Sequence, residues 1–183
     1  PNSPMELTLN AGQIAQRISG SGIRALAIVG GGELDLATLR TIEVDSWRIS
    51  DDLSYVIMGS DEAESLSLGS GRHSVSMGAG TDKVTIDGKR RVIDSIDGGL
   101  GSDSLTIRGD YVDLSGATIS NIEAINVSSR SLAMTKDQWA TLGSTVSLIS
   151  GATTSFTLAL VEASTITLAS DSAYQGLSGS TDG

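Results

Sequence analysis

Apolar residues in the middle of this chain keep a nine-residue beat, with Leu66, Val75, Val84 and Leu105 falling at the same place in successive phrases. The phrases are "LGSGRHSVS" (68–76), "MGAGTDKVT" (77–85) and "GGLGSDSLT" (98–106), with the insert "IDGKRRVIDSID" (86–97) between the last two. Before them "MGSDEAESLS" (58–67) fits with one extra residue. Nine residues with one inward strand position are too few for a hairpin sheet and suit a coil that winds in half-turns. The pattern predicts stacked parallel strands.

The flanks carry a looser version of the same writing. "GELDLATLRTIEVDS" (32–46), "DYVDLSGATISNIEAINVSS" (110–129) and "SFTLALVEASTITLAS" (155–170) each hold two alternating apolar runs separated by a polar step. Leu34, Leu36, Ile42 and Val44 are answered by Val112, Leu114, Ile122 and Ala124, then by Phe156, Leu158, Ile166 and Leu168. A helical signal appears twice, in "LTLNAGQIAQRI" (7–18) and "LAMTKDQWATL" (132–142). In each, Asn10 or Thr135 is placed to cap free N–H groups and Gln13 or Gln138, three residues on, to reach back. Ile14 and Ile18, or Trp139 and Leu142, would then pack on the strand stack. The expected fold is all-β: a parallel β-solenoid, a β-roll or β-helix, with one or two short capped helices, forming a single domain over 1–183.

Composition supports thin layers. Apolar residues make up 39% of the chain but aromatics only 3%, so the core must be built from Leu, Ile, Val and Ala. Net charge is −10, and such a surface repels nucleic acid and anionic membranes while attracting divalent cations. The chain has no cysteine, which removes disulfides and thiolate metal sites together. No apolar run is long enough to span a membrane, and none resembles a secretory leader. The start "PNSP" and the polar end "LSGSTDG" read as cut ends of a longer protein, and the C-terminal side is expected to continue into another domain or subunit.

The glycines turn the half-coils. A loop such as "GGLGSD" can turn sharply and aim carbonyl oxygens into the gap between coils, because glycine accepts positive φ. Carbonyls plus one carboxylate per loop make the hard-oxygen surroundings that Ca²⁺ prefers. "GGLGSDSLT" resembles, at every fixed position, the G-G-x-G-x-D-x-U-x nonapeptide of the RTX (haemolysin-type) calcium-binding repeat proteins, and "MGAGTDKVT" resembles it with Met77 in place of the first glycine. The resemblance implies a calcium-binding region over 58–106 in which the loop at 78–82 faces the loop at 98–103. Asp82 and Asp103 would give side-chain ligands, and Gly78, Gly80, Gly98, Gly99 and Gly101 would give backbone ligands to Ca²⁺.

The other phrases depart from that pattern. His73 stands where the family has Asp, so the 68–76 loop is expected to be metal-free and His73 structural or solvent-facing. In 58–67 the acid, Asp61, comes too early. No catalytic constellation emerges: a single histidine leaves a Ser-His-acid triad without a partner set, and pairs such as Asp51 with Asp52 or Asp61 with Glu62 read as solvated turns. The basic run Lys89, Arg90 and Arg91 reads as an exposed insert, with an anionic surface glycan or an acidic neighbouring copy as the alternative. The resemblance therefore implies a non-catalytic, calcium-binding structural module of an extracellular bacterial protein of surface-layer or cell-adhesion type. Such a chain leaves the cell by type I secretion and folds on meeting external calcium. The alternative is an accessory calcium module of a secreted enzyme, such as a polysaccharide-modifying enzyme, lipase or protease, whose active site lies outside this chain. Expected partners are calcium, further copies or flanking domains of the same protein, and a cell-surface glycan.

Overall fold

The computed structural model describes residues 6–10, 20–39, 42–49, 52–87, 93–129, 131–148 and 157–160. Within them the chain is a parallel β-solenoid. One sheet stacks eight strands in the order β1 (Glu6–Asn10), β2 (Gly20–Val29), β4 (Ile42–Ile49), β6 (Ser65–Leu68), β8 (Lys83–Asp87), β11 (Ser104–Arg108), β14 (Ala124–Val127) and β16 (Val146–Leu148). The opposing sheet runs β13 (Thr118–Ser120), β9 (Ile93–Asp97), β7 (His73–Gly80), β5 (Tyr55–Ser60) and β3 (Gly32–Asp35), with the short β10 (Leu100–Gly101) alongside the end of β7. A third sheet of β12 (Tyr111–Asp113), β15 (Ser131–Met134) and β17 (Thr157–Leu160) joins in the C-terminal coils. Strands of the first two sheets alternate along the chain, which is the half-turn winding that the nine-residue beat predicts.

Strict register turns that beat into ladders of like side chains. In the first sheet Leu26, Trp47, Leu66, Val84, Leu105 and Ile125 stand one above another. Leu34, Ile57, Val75, Ile96 and Ile119 do the same in the opposing sheet. Leu66, Val75, Val84 and Leu105 are all buried, as the frame requires. Each such side chain removed from water contributes about 1.5–3 kcal/mol before chain entropy is counted. Branched aliphatics suit this arrangement because they stiffen the strand and fill a narrow interior without bulk.

Two details differ from the sequence reading. Leu36 is buried, but in a 3-10 turn at Leu36–Leu39 just after β3 instead of within the first alternating run. In β14 the inward residues are Ile125 and Val127, while Ala124 is only half-buried and Ile122 packs from the preceding turn. The insert is the intervening half-turn, as expected: Ile86 and Asp87 finish β8 and Ile93–Asp97 is β9.

The helix signal at 132–142 is realised in α1 (Lys136–Leu142). Thr135 Oγ1 accepts the Gln138 N–H at 3.1 Å and Gln138 Oε1 accepts the Thr135 N–H at 2.8 Å, a complete capping box. Gln138 Nε2 also donates to the carbonyls of Leu114 and Ala117, both at 2.7 Å, tying the helix to the turn that leads into β13. Leu142 is buried and Trp139 packs against the core. In chain order α1 stands where earlier coils place a strand of the opposing sheet, and that sheet ends at β13. The companion signal at Asn10 and Gln13 continues into 11–19, outside the described residues, as do Phe156, Ile166, Leu168 and the Lys89, Arg90 and Arg91 run.

Candidate metal centre

Two loops predicted to face each other do so. Leu100 pairs with Ala79 and Gly101 with Gly80, so the 98–103 loop lies directly on the 77–82 loop. The glycines repeat their conformations from coil to coil: φ is 92° at Gly78 and 90° at Gly99, 144° at Gly80 and 142° at Gly101. Side chains there are excluded by contact as well as by strain. A Cβ on Gly99 would stand 1.9 Å from the Gly78 carbonyl oxygen, and one on Gly101 would stand 1.6 Å from that of Gly80. The stacked loops thus pack backbone against backbone, closer than any side chain would allow.

Asp82 and Asp103 close these loops from the side, only 1% and 2% exposed. Each lies immediately before a strand of the first sheet, and each reaches toward the preceding coil. Asp103 Oδ1 accepts the Asp82 N–H at 2.8 Å, and Asp82 Oδ1 accepts the Glu64 N–H at 2.7 Å. The same step is made once more by Glu123, whose Oε2 accepts the Asp103 N–H at 2.7 Å. Glu64, Asp82, Asp103 and Glu123 therefore form a ladder of acids, 18, 21 and 20 residues apart.

One oxygen of each inner acid is left over. Asp82 Oδ2 and Asp103 Oδ2 are buried and have no hydrogen-bond partner. A buried carboxylate oxygen without a donor costs several kcal/mol unless a cation or a proton supplies the missing interaction. Burial pushes the Asp82 carboxyl up from 3.8 to about 6; the hydrogen bond from the Glu64 amide opposes the rise, and the charges of Glu64 and Asp103 add to it. Among the described residues no group of three or more His, Cys, Asp or Glu side chains is placed to hold a metal ion. An ion seated here would take one or two carboxylate oxygens and otherwise main-chain carbonyls, which is hard-cation coordination of the Ca²⁺ kind and not a zinc site.

The remaining site residues fall as follows. Gly98 sits at the back of its loop, where a Cβ would lie 2.8 Å from Asp103 Oδ2 and 2.0 Å from the Asn121 carbonyl oxygen. Its bareness lets the Asp103 carboxylate fold inward. Asp61, expected as the early acid of 58–67, is exposed on the turn; Glu64 occupies the ladder position instead. Glu64 and Glu123 escape a motif that demands Asp, although both share the feature that matters, an acid directly before a strand of the first sheet. His73 is fully buried at the start of β7 with its ring 5.8 Å from that of Tyr55, so it is a core residue and the solvent-facing alternative does not hold. Asp52, Asp61 and Glu62 are exposed on turns.

Beyond the 98–103 loop the pairing of glycine loops ends and side chains take over. The next coil turns through Asn121, at φ 52°, whose Nδ2 donates to Asp97 Oδ1 at 2.7 Å. Asp97 Oδ1 also accepts the Gly99 N–H at 3.2 Å. Comparison of the chain with protein-family models, with curated proteins and with solved structures finds no match.

Proposed function

We propose that this chain is a calcium-stabilised β-solenoid scaffold, a non-catalytic segment of an extracellular bacterial protein of the surface-layer or adhesin type. The observation that carries the reading is the pair of buried Asp82 and Asp103 oxygens without donors, set beside glycine loops stacked in backbone contact. Neighbouring coils stand about 4.8 Å apart. At that spacing two ionised carboxylates repel by about 3 kcal/mol for an effective dielectric of 20. A divalent cation between them reverses the sign of that term, so binding and folding are coupled. The extracellular placement is supported by the acidic, cysteine-free composition and by the nonapeptide likeness, since millimolar calcium is met outside the cell and a calcium-gated fold suits a chain exported unfolded.

The test is thermal unfolding followed by circular dichroism in chelator and in millimolar calcium. A ligand present at 100 times its Kd stabilises by about 2.7 kcal/mol. The expected result is a higher melting temperature in calcium with magnesium unable to replace it. Identical melts in the two conditions would remove the calcium reading.

A further inference from the structure

We propose that copies of this chain stack face to face, the outer face of the first sheet of one copy lying on the outer face of the opposing sheet of the next. The ground is that the two faces carry opposite charge. Along the described strands from Ser46 to Asn126, the outward positions of the first sheet are serine, threonine, asparagine or alanine except at Arg48, Lys83, Asp87 and Arg108. That face holds three cations against one anion. On the opposing sheet the outward positions are acidic at Glu33 and Asp35 on β3, apolar at Val56 and Met58 on β5, and serine or threonine on the last three strands except at Asp97. These positions hold three anions and no cation, and the ion pair of Arg72 with Asp94 at their foot is neutral. In a chain of net charge −10, a face with more cations than anions is the exception.

The faces also fit in relief. A trough of about 360 Å³ crosses β5, β7, β9 and β13 on the opposing sheet, lined by Val56 and Met58 at one end and by serines and Thr118 beyond. Val56 is 49% and Met58 43% exposed, and among the described residues they are the large apolar side chains left bare on either face. On the first sheet the long side chains are Arg48, Lys83 and Arg108, rising from short ones such as Thr85 and Thr106, which are nearly covered. A lysine or arginine stem lies well on Val56 or Met58 while its charged head reaches Glu33, Asp35 or Asp97. Both faces repeat on the coil pitch of about 4.8 Å, so rows on one copy meet rows on the next in step.

Because the two faces differ, the contact is heterologous, and repeating it gives an open stack instead of a closed dimer. Short strands over four or five coils make a patch about 15 Å by about 20 Å. That is roughly 300 Å² on each partner, against about 800 Å² in a standard stable complex, so a single contact is weak and sensitive to salt. It gains strength where copies are held side by side at high local concentration. The inference names a second copy as the partner of the proposed scaffold and rests on that reading only for the use of the contact; the contact itself needs only the folded solenoid.

Sedimentation velocity of the chain in millimolar calcium, from about 10 μM to about 1 mM protein, reads the contact directly. At about 0.05 M salt the weight-average mass should rise at least about 1.5-fold over that range, and at about 0.5 M salt it should stay that of the monomer. Two double variants test the faces, all four positions being exposed: Lys83→Glu with Arg108→Glu makes the first-sheet face acidic, and Glu33→Lys with Ser76→Lys makes the opposing face basic. Each alone should remain monomeric at low salt, and an equimolar mixture should associate as the wild type does. Where circular dichroism shows that a double variant does not fold, Arg108→Glu and Glu33→Lys alone form the pair. A folded wild type that is monomeric throughout would overturn the inference and leave the calcium reading untouched. Association that persists at about 0.5 M salt, or in either variant alone, would overturn it as well, and so would variants that stay monomeric when mixed. Identical melts with and without calcium, together with salt-sensitive association, would remove the calcium reading and leave the stacking standing.

Discussion

Replacing Asp82 with asparagine should stabilise the protein in one medium and destabilise it in another. Asparagine keeps the Oδ1 acceptor for the Glu64 amide, removes the charge, and turns the oxygen that lacks a donor into an NH₂ facing a carbonyl-lined gap. The Asp82 carboxyl titrates at about 6 in the folded chain against 3.8 unperturbed. At about 1.4 kcal/mol per pH unit, the ionised group costs the fold at most about 3 kcal/mol at neutral pH. The sign follows: a raised carboxyl pKa gives stability that is full below 3.8 and lost as pH rises through about 6. In chelator at pH 7.5, Asp82→Asn should thus raise the melting temperature by up to about 10 °C, taking 2–4 °C per kcal/mol for a chain of this size. Lowering the pH from 7.5 to 4.5 in chelator should stabilise the wild type and do much less to the variant. In millimolar calcium the order inverts, because the variant loses a carboxylate that the cation would neutralise. Differential scanning calorimetry of both proteins in both media settles it. A variant that melts lower than the wild type by the same margin with and without calcium would refute the reasoning, since Asp82 would then be a plain structural acceptor.

Gly101→Ala should destabilise by at least about 2 kcal/mol in either medium, combining backbone strain with the clash on the Gly80 carbonyl, whereas Gly32→Ala, also at positive φ but with nothing within 4 Å of the new Cβ, should cost about 1 kcal/mol; paired urea titrations compare them. Val84→Asp places a charge in the Leu66, Val84, Leu105 ladder and should abolish the cooperative transition or cost more than about 4 kcal/mol, read by circular dichroism. Gln138→Ala removes half of the capping box and two donors to the 114–117 turn, and should cost about 2 kcal/mol in the same assay, with calcium affinity unchanged because the helix lies away from the loops.

Register was legible in the sequence where one side chain per half-turn had to be apolar, which is why Leu66, Val75, Val84 and Leu105 fall where the beat puts them. Thr135 and Gln138 were legible for a similar reason, since a capping box is settled by four consecutive residues. The acid ladder was legible only at Asp82 and Asp103. Glu64 and Glu123 answer to a coil-to-coil constraint, a carboxylate placed to accept the amide of its counterpart in the coil before, and that constraint accepts Glu as readily as Asp. Spacing within one phrase does not reveal it and points to Asp61 instead. Ala124 misled because strand alternation in a short run can be started one residue early, and only packing against Leu105 and Ile107 selects Ile125 and Val127 as the inward pair.

The central claim is that the gap between the two glycine loops holds a calcium ion through the inner oxygen of Asp103. A crystal structure determined in millimolar calcium, with the anomalous signal used to place the metal, tests it most directly. The account predicts a cation between the 77–82 and 98–103 loops, about 2.3–2.6 Å from Asp103 Oδ2 and from main-chain oxygens of both loops. Finding no cation there, with Asp103 Oδ2 satisfied by water or by a protein donor, would contradict it.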